Sequence, residues 1–323
     1  MVSLPPSLLK AIDECLKEIV SADLANASID LSHRYRNRTA HKFMVSEPHR
    51  LAYLATRLPA TYAVNYEVLK NLTSLNIPIQ SLLDLGAGPG TVMWAAAGLW
   101  PELNKISLIE ADSELIRLGK HLSQTSEFLS LQKATWQHGN LTTLSTLIPH
   151  DILSLSYVLG ELNQLLQTNL LKLAWQAAQK ALIIIEPGTP VGFNYIREAR
   201  AWLIQNGATI YAPCPHNLAC PLQGQDWCHF SVRLSRSKIH RQLKNAALGY
   251  EDEKYSYLIA CKTGDHQGDS RIIRKPITAK SQVILDLCTP EGTQRVNISK
   301  KNKPSYLNAR KVQWGDPWNH PSS

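Results

Sequence analysis

Three cysteines, Cys214, Cys220 and Cys228, fall in the stretch "CPHNLACPLQGQDWCHF" with the spacing C-x5-C-x7-C. Thiolates are soft ligands, and both a tetrahedral zinc site and a cubane iron–sulfur cluster ask for four donors. Candidates for the fourth are Cys261, Cys288, His216 and His229. Cys261 closes the apolar run "YSYLIAC", where a cysteine serves well as a small core residue. Cys288 follows "VILDL" and opens the turn "CTPEG". A turn presents both its sulfur and backbone N–H groups, which suits ligation and hydrogen bonding to cluster sulfurs, so Cys288 is the preferred donor. Zinc sites often use close C-x2-4-C pairs, and the stretch contains none. Its wide loops, with Pro213, Pro215 and Pro221 beside the cysteines, point to iron–sulfur ligation, with structural zinc as the alternative.

A second constellation is "LLDLGAGPGTVMW", an apolar run that breaks into Gly86-Ala87-Gly88-Pro89-Gly90. Glycines at such a turn allow positive φ and let a ligand approach the backbone. Glu110 ends the next apolar run twenty residues after Gly90, where an acid can accept from both hydroxyls of a ribose. A dinucleotide site would place its third glycine inside the helix, as G-x-G-x-x-G. The order here, Asp84 followed by G-x-G-x-G, resembles the S-adenosylmethionine motif of class I methyltransferases. The candidate cofactor residues are Asp84, Gly86, Ala87, Gly88, Gly90 and Glu110. No catalytic residue can be assigned. "SYVLGEL" stands where amino-methylating enzymes carry a proline pair, and Pro213-Cys214 matches a nucleophilic cysteine only superficially.

These residues need strands and helices to hold them. Residues 1–75 read as amphipathic helices, with Pro59 forcing a break. From about Ile79, short apolar strands alternate with helices, the pattern of a parallel sheet. "SLLDLG", "ISLIEAD", "DILSLSYVL" and "ALIIIEPG" read as strands, and "TVMWAAAGLW", "SELIRLGKHLSQ", "QTNLLKLAWQAAQKA" and "VGFNYIREARAWLIQNG" as helices. "ATIYAPC" and "KYSYLIACK" close the sheet, with the cysteine stretch at 211–230 inserted between them. "SQVILDLCTPEGTQRVNIS" is strand, turn, strand. The expected organisation is a helical region (1–75), a methyltransferase-like α/β domain (76–264) and a small β appendix with a polar tail (265–323).

The 323 residues carry a formal charge of +8. The excess sits in three blocks: Arg34, Arg36, Arg38 and Lys42 around Tyr35; five bases with no acid between Trp227 and Tyr250; and eleven bases against five acids from Lys262 onward. Blocks of this kind favour a polyanion partner. The N-terminus lacks the apolar run of a signal peptide and no stretch approaches a membrane span, so the expected location is the cytoplasm, with no membrane partner. Six cysteines in that reducing compartment are read as ligands or core residues, not as disulfides.

Together, "LLDLGAGPGT", "IEPGTPVGF", "CPHNLACPL", "DWCHFSVRLSR", "EDEKYSYLIA", "LDLCTPEG" and "ARKVQWGDPW" resemble the small-ribosomal-subunit methyltransferase-like family of bacteria and mitochondria, from about Pro48 to Trp318. The resemblance implies a class I, Rossmann-like methyltransferase fold and association with the small ribosomal subunit and its rRNA, in assembly or translation. It also implies a [4Fe–4S] cluster on Cys214, Cys220, Cys228 and Cys288. Off the ribosome a monomer is expected. Two rival functions are a non-catalytic RNA-binding module with a degenerate cofactor pocket and a small-molecule methyltransferase with structural zinc.

Overall fold

A computed structural model describes residues 1–17, 21–37, 44–222 and 224–319, without the side chains of 21 and 35–37. The chain forms two compact units, residues 1–145 with 232–253 and residues 146–231 with 254–323.

The first unit opens with four helices: α1 (Pro6–Leu16), α2 (Ser21–Asn37), α3 (Glu47–Thr56) and α4 (Leu58–Thr73). Helix α1 starts at a proline, whose missing N–H costs nothing in a first turn, and it buries Leu8, Ala11, Ile12 and Leu16 along one stripe. Pro59 acts as expected: α3 stops at Thr56 and α4 restarts with the proline in its first turn.

The α/β part of this unit follows as β1 (Ser81–Leu85), α5 (Thr91–Ala97), β2 (Lys105–Glu110), α6 (Ser113–Ser123), α7 (Leu129–Gln132) and β3 (Thr135–His138). Strand β2 pairs in parallel with β1 on one side and β3 on the other. Strand β1 reads as a near-continuous apolar run because its residues are almost all buried.

The second unit begins with β4 (His150–Ser156), α8 (Gln164–Ala177), β5 (Ala178–Pro187), α9 (Pro190–Gln205) and β6 (Thr209–Ala212). The chain then crosses back through β7 (Phe230–Ser235), α10 (Lys238–Leu243) and the long β8 (Tyr250–Cys261), whose ends belong to different units. Within the second unit β4 and β5 are parallel, and β8 runs antiparallel to both β5 and β6. Parallel strands closed by an antiparallel one are the arrangement expected of the class I methyltransferase sheet, and the fold is of that class.

The appendix is a five-stranded sheet of β9 (Ser270–Ile272), β10 (Ile277–Thr278), β11 (Gln282–Thr289), β12 (Gly292–Ser299) and, after α11 (Lys303–Ala309), β13 (Pro317–Trp318). The β11–β12 hairpin closes at Pro290-Glu291 with Thr289 facing Gly292, so Cys288 does not open the turn as expected but sits in β11, paired with Thr293 and Arg271. Its inner face, with Ile272, Val283, Leu285 and Leu287, packs on Tyr306, Ala309 and Trp318.

Three expectations shift. Residues 178–180 open β5 instead of ending a helix, since Ala178 pairs with His150. Strand β3, "TWQH", is short and mostly exposed and carries no alternating apolar signal. Strand β7 and α10 occupy what reads in sequence as an irregular basic insertion.

Candidate functional site

The glycine turn lies between β1 and α5 in the first unit. Gly86, Gly88 and Gly90 take φ of 73°, 55° and 85°, the left-handed region that only glycine enters cheaply. The N–H groups of Gly86 and Ala87 donate to Ile109 O at 2.9 and 3.1 Å, so the turn is pinned to the end of β2. Asp84 and Ala87 are buried. Glu110 anchors the loop from the other side. Its Oε2 accepts from Gly88 N at 2.7 Å, while Oε1 accepts from Ala111 N and Asp112 N at 2.8 and 2.9 Å. Three backbone donors leave the carboxylate one free lone pair, on Oε2, so it can receive one ribose hydroxyl without rearranging.

Helix α3, which no motif singled out, also serves this turn. Arg50 Nη2 donates to Asp112 Oδ2 at 3.4 Å. Burial pushes the Tyr53 hydroxyl up, against the opposing pull of Thr61, Arg57 and Thr91, with the Glu110 charge adding to the rise.

In the second unit the loop after β4 is tightly held. Tyr157 has φ of 63°, uncommon and strained for a non-glycine residue, and its N–H donates to Ile185 O at 2.7 Å. Leu159 N donates to Glu186 Oε1 at 2.8 Å, and Glu186 is buried. Glu186 thus braces the loop.

The cysteine stretch behaves differently from a self-contained knuckle. Cys214, Cys220, Cys228 and Cys288 line a single pocket in the second unit. Cys214 follows β6, Cys228 precedes β7, and Cys288 comes from β11 of the appendix sheet. Phe193, Leu222 and Ile273 pack around them. The Cys228 thiol is pushed well up by burial and by the neighbouring sulfurs of Cys214, Cys288 and Cys220. Burial, reinforced by Cys214 and Cys220, pushes Cys288 up to about 12, against the pull of Arg200 and Arg271. Cys261 lies elsewhere, on β8 opposite Ala181 and Thr209, where burial alone pushes it up to about 12. Among the described residues, no three of His, Cys, Asp or Glu are drawn close enough to grip a metal ion as they stand.

The histidines divide. His229 stacks on Trp227, ring centroids 5.1 Å apart, and does not line the pocket. His216 is buried with Nε2 3.9 Å from Cys288 Sγ, and burial and the Arg200 charge both hold the ring towards its neutral form. Arg200, from α9, donates from Nε to Cys214 Sγ at 3.2 Å.

The donor set fits a four-thiolate group in its chemistry: four sulfurs, an apolar wall that limits water, and an N–H already aimed at one sulfur.

Charge is distributed less simply than in sequence. In the first block Arg34 pairs with Asp30 at 2.7 Å; the side chains of Tyr35 and Arg36, and residues Arg38 and Lys42, lie outside the described residues. The second block is largely neutralised by the acids that follow it: Arg233 is bidentate on Asp252 and Arg236 holds Glu251. In the third block Arg271 is buried, Arg274 and Arg295 are paired with Asp226 and Asp286, and Lys262 lies over the Trp175 ring. Lys275, Lys280, Lys300, Lys301, Lys303, Arg310 and Lys311 are left exposed, without an ion pair among the described residues.

Residues 48–319 match the protein family described as "Mitochondrial small ribosomal subunit Rsm22". The chain belongs to the Rsm22 family. Curated relatives include the "Rsm22-cox11 tandem protein 2, mitochondrial" of Schizosaccharomyces pombe, 26% identical over 92% of this chain and 46% of its own length. The human "Ribosome assembly protein METTL17, mitochondrial" is 24% identical over 88% of this chain and 66% of its own. The chain therefore spans about half to two thirds of the length of these relatives. Solved structures of similar fold include the magnesium protoporphyrin IX methyltransferase of Synechocystis PCC 6803 with bound SAM (14% identity, TM-score 0.41, 64% of this chain and 81% of that one). Another is the N-methyltransferase NodS of Bradyrhizobium japonicum with S-adenosylhomocysteine (10%, TM-score 0.44, 74% and 100%).

Two site features of this Rsm22-family chain went unread in the sequence. Arg200 and Arg271 lie in segments without a motif, and only the packing of α9 and β9 brings them to the cysteine pocket.

Proposed function

We propose that this chain is an S-adenosylmethionine-binding, iron–sulfur protein that acts on the small ribosomal subunit in its assembly or in translation. The observation that carries the reading is the gathering of Cys214, Cys220, Cys228 and Cys288 around one apolar pocket from two segments sixty residues apart. Membership of the Rsm22 family, whose human relative is named a ribosome assembly protein, supports the ribosomal part.

A [4Fe–4S] cluster, when bound to the four thiolates, supplies cross-links of high bond strength between the cysteine insertion and the appendix sheet. The chain's own residues would then do the rest. Cys288 presents β11 to the pocket, Phe193 and Leu222 exclude water, and the hydrogen bond from Ser256 Oγ to Cys228 O, 2.7 Å, fixes the approach to β7. A structural role suits this arrangement.

The glycine turn would hold the methyl donor. The close approach that the glycines allow and the open lone pair of Glu110 are the recognition elements, and Gly88 N, Ala111 N and Asp112 N hold that carboxylate in place. The proposal covers binding of the methyl donor and not catalysis.

RNA contact falls to the appendix. Lys300 N donates to Ser281 O at 2.8 Å and Tyr306 Oη to Lys280 O at 3.4 Å, so Lys280, Lys300, Lys301 and Lys303 gather at one edge of its sheet. Exposed cations without acid partners neutralise phosphates at low desolvation cost.

Isothermal titration with S-adenosylmethionine separates this reading from a degenerate pocket. Saturable heat and a raised unfolding temperature support it. No heat and no protection would leave an RNA-binding module that has lost its cofactor.

A further inference from the structure

Arg200 and Arg271 are 5% and 1% exposed, and both line the cysteine pocket. Arg200 donates from Nη2 to the carbonyls of His216 and Leu218 at 2.7 and 2.8 Å, besides its bond to Cys214 Sγ. Arg271 donates from Nε to Pro213 O at 2.6 Å, from Nη1 to Gly315 O at 2.8 Å and from Nη2 to Gln267 Oε1 at 3.0 Å. Carbonyl and amide oxygens satisfy the N–H groups but leave the charges standing. Neither guanidinium forms an ion pair with a carboxylate among the described residues, although the surface arginines Arg233, Arg236, Arg274 and Arg295 all do.

A guanidinium does not shed its proton in a protein, so burial without an anion is costly. A folded chain carrying two such charges a pocket's width apart is poised for an anion between them. The groups in that wall able to become anionic together are the four thiols. Four thiolates on a [4Fe–4S]2+ core carry two net negative charges, which the two buried guanidinium groups cancel, whereas the third arginine of the wall, Arg197, is exposed to solvent.

We propose that Arg200 and Arg271 are the built-in counter-cations of the cluster, and that Arg200 also orients Cys214 through its N–H···S hydrogen bond. Both are positioning residues. Their effect is to stabilise the bound cluster and to favour the added electron when it is reduced, since reduction puts one more negative charge between them. The proposal rests on the iron–sulfur reading above.

The test compares the full chain, purified anaerobically, with Arg200→Gln, Arg200→Lys and Arg271→Gln. Iron and acid-labile sulfide are counted first, then the midpoint potential is followed by electron paramagnetic resonance and iron release by a chelator is timed. Wild-type protein without iron and sulfide would overturn the underlying reading. With a loaded wild type, Arg200→Gln and Arg271→Gln should each have a more negative midpoint and release iron roughly 10-fold faster. Arg200→Lys, which keeps the charge and loses the planar fork, should recover most of the potential. If Arg200→Gln holds no cluster, Arg200→Lys at full loading upholds the charge requirement. Loaded Gln variants with wild-type midpoints and release rates would overturn the proposal while leaving the cluster itself intact.

Discussion

Cys261 and Cys288 are both buried thiols pushed up to about 12, yet only one lines the cysteine pocket. Replacing each by serine therefore separates a ligand from a core residue. Cys288→Ser should lose the iron while Cys261→Ser keeps it, at a stability cost on the order of 1 kcal/mol for a buried hydroxyl; metal analysis of the two variants decides it. At the glycine turn, two alanine substitutions should differ for a geometric reason. A Cβ on Gly88 meets nothing within 4 Å, so its cost is the left-handed backbone, about 1 kcal/mol. A Cβ on Gly119 would collide with the Trp136 ring and press on Pro89 O, which is overpacking worth roughly 1–3 kcal/mol. Urea midpoints should therefore fall further for Gly119→Ala, and equal losses would contradict the packing described. The cysteines and the glycine turn were legible because their chemistry depends on residue type and spacing. Arg200 was not: in "REARAW" it is one of two arginines, and only its burial and its bond to Cys214 Sγ distinguish it from the exposed Arg197.

The basic insertion shows what spacing hides at the level of elements. Counting charges from Trp227 to Tyr250 stops one residue short of Glu251, Asp252 and Glu253. Because β7 and β8 pair, those acids return alongside the bases: Arg236 Nη2 lies 3.0 Å and His240 Nε2 3.1 Å from Glu251 Oε2, and Arg57 of α4's N-cap reaches Glu253 at 3.1 Å. Burial by itself would raise the Glu251 carboxyl, but hydrogen bonding to His240 and Arg236 and the charges of His240 and Lys244 outweigh it and pull it down to about 2. A depressed carboxyl contributes stability that is complete above its unfolded value, near 4.5, and is lost as pH falls towards 2. Glu251→Gln should therefore destabilise the protein at neutral pH and flatten the decline between pH 4.5 and 2; an unchanged acid profile by circular dichroism would contradict the network. The long apolar strands and helices of the sheet were readable from periodicity. Strand β3 was not, because a short exposed strand carries little apolar signal; β7 does alternate Phe230, Val232 and Leu234 with polar residues, so its signal was present in the sequence.

For the molecule as a whole, the charge of +8 becomes informative only once paired and buried bases are set aside. Seven exposed bases without an ion pair among the described residues fall within residues 275–311 of the appendix, so polyanion binding should depend on this group. Changing Lys280, Lys300 and Lys301 together to alanine should lower the salt slope of binding to small-subunit rRNA by about 2, at ~0.7 per single-strand phosphate lost. The corresponding change at Arg233, Arg236 and Arg241 should alter it little, since two of these three already serve Asp252 and Glu251. The central claim is that four cysteines, contributed by an insertion and a separate sheet, hold one iron–sulfur cluster. Anaerobic purification followed by iron, sulfide and zinc analysis tests it most directly. The account predicts about four irons and four sulfides per chain, lost together in Cys288→Ser. One zinc per chain without sulfide would contradict it.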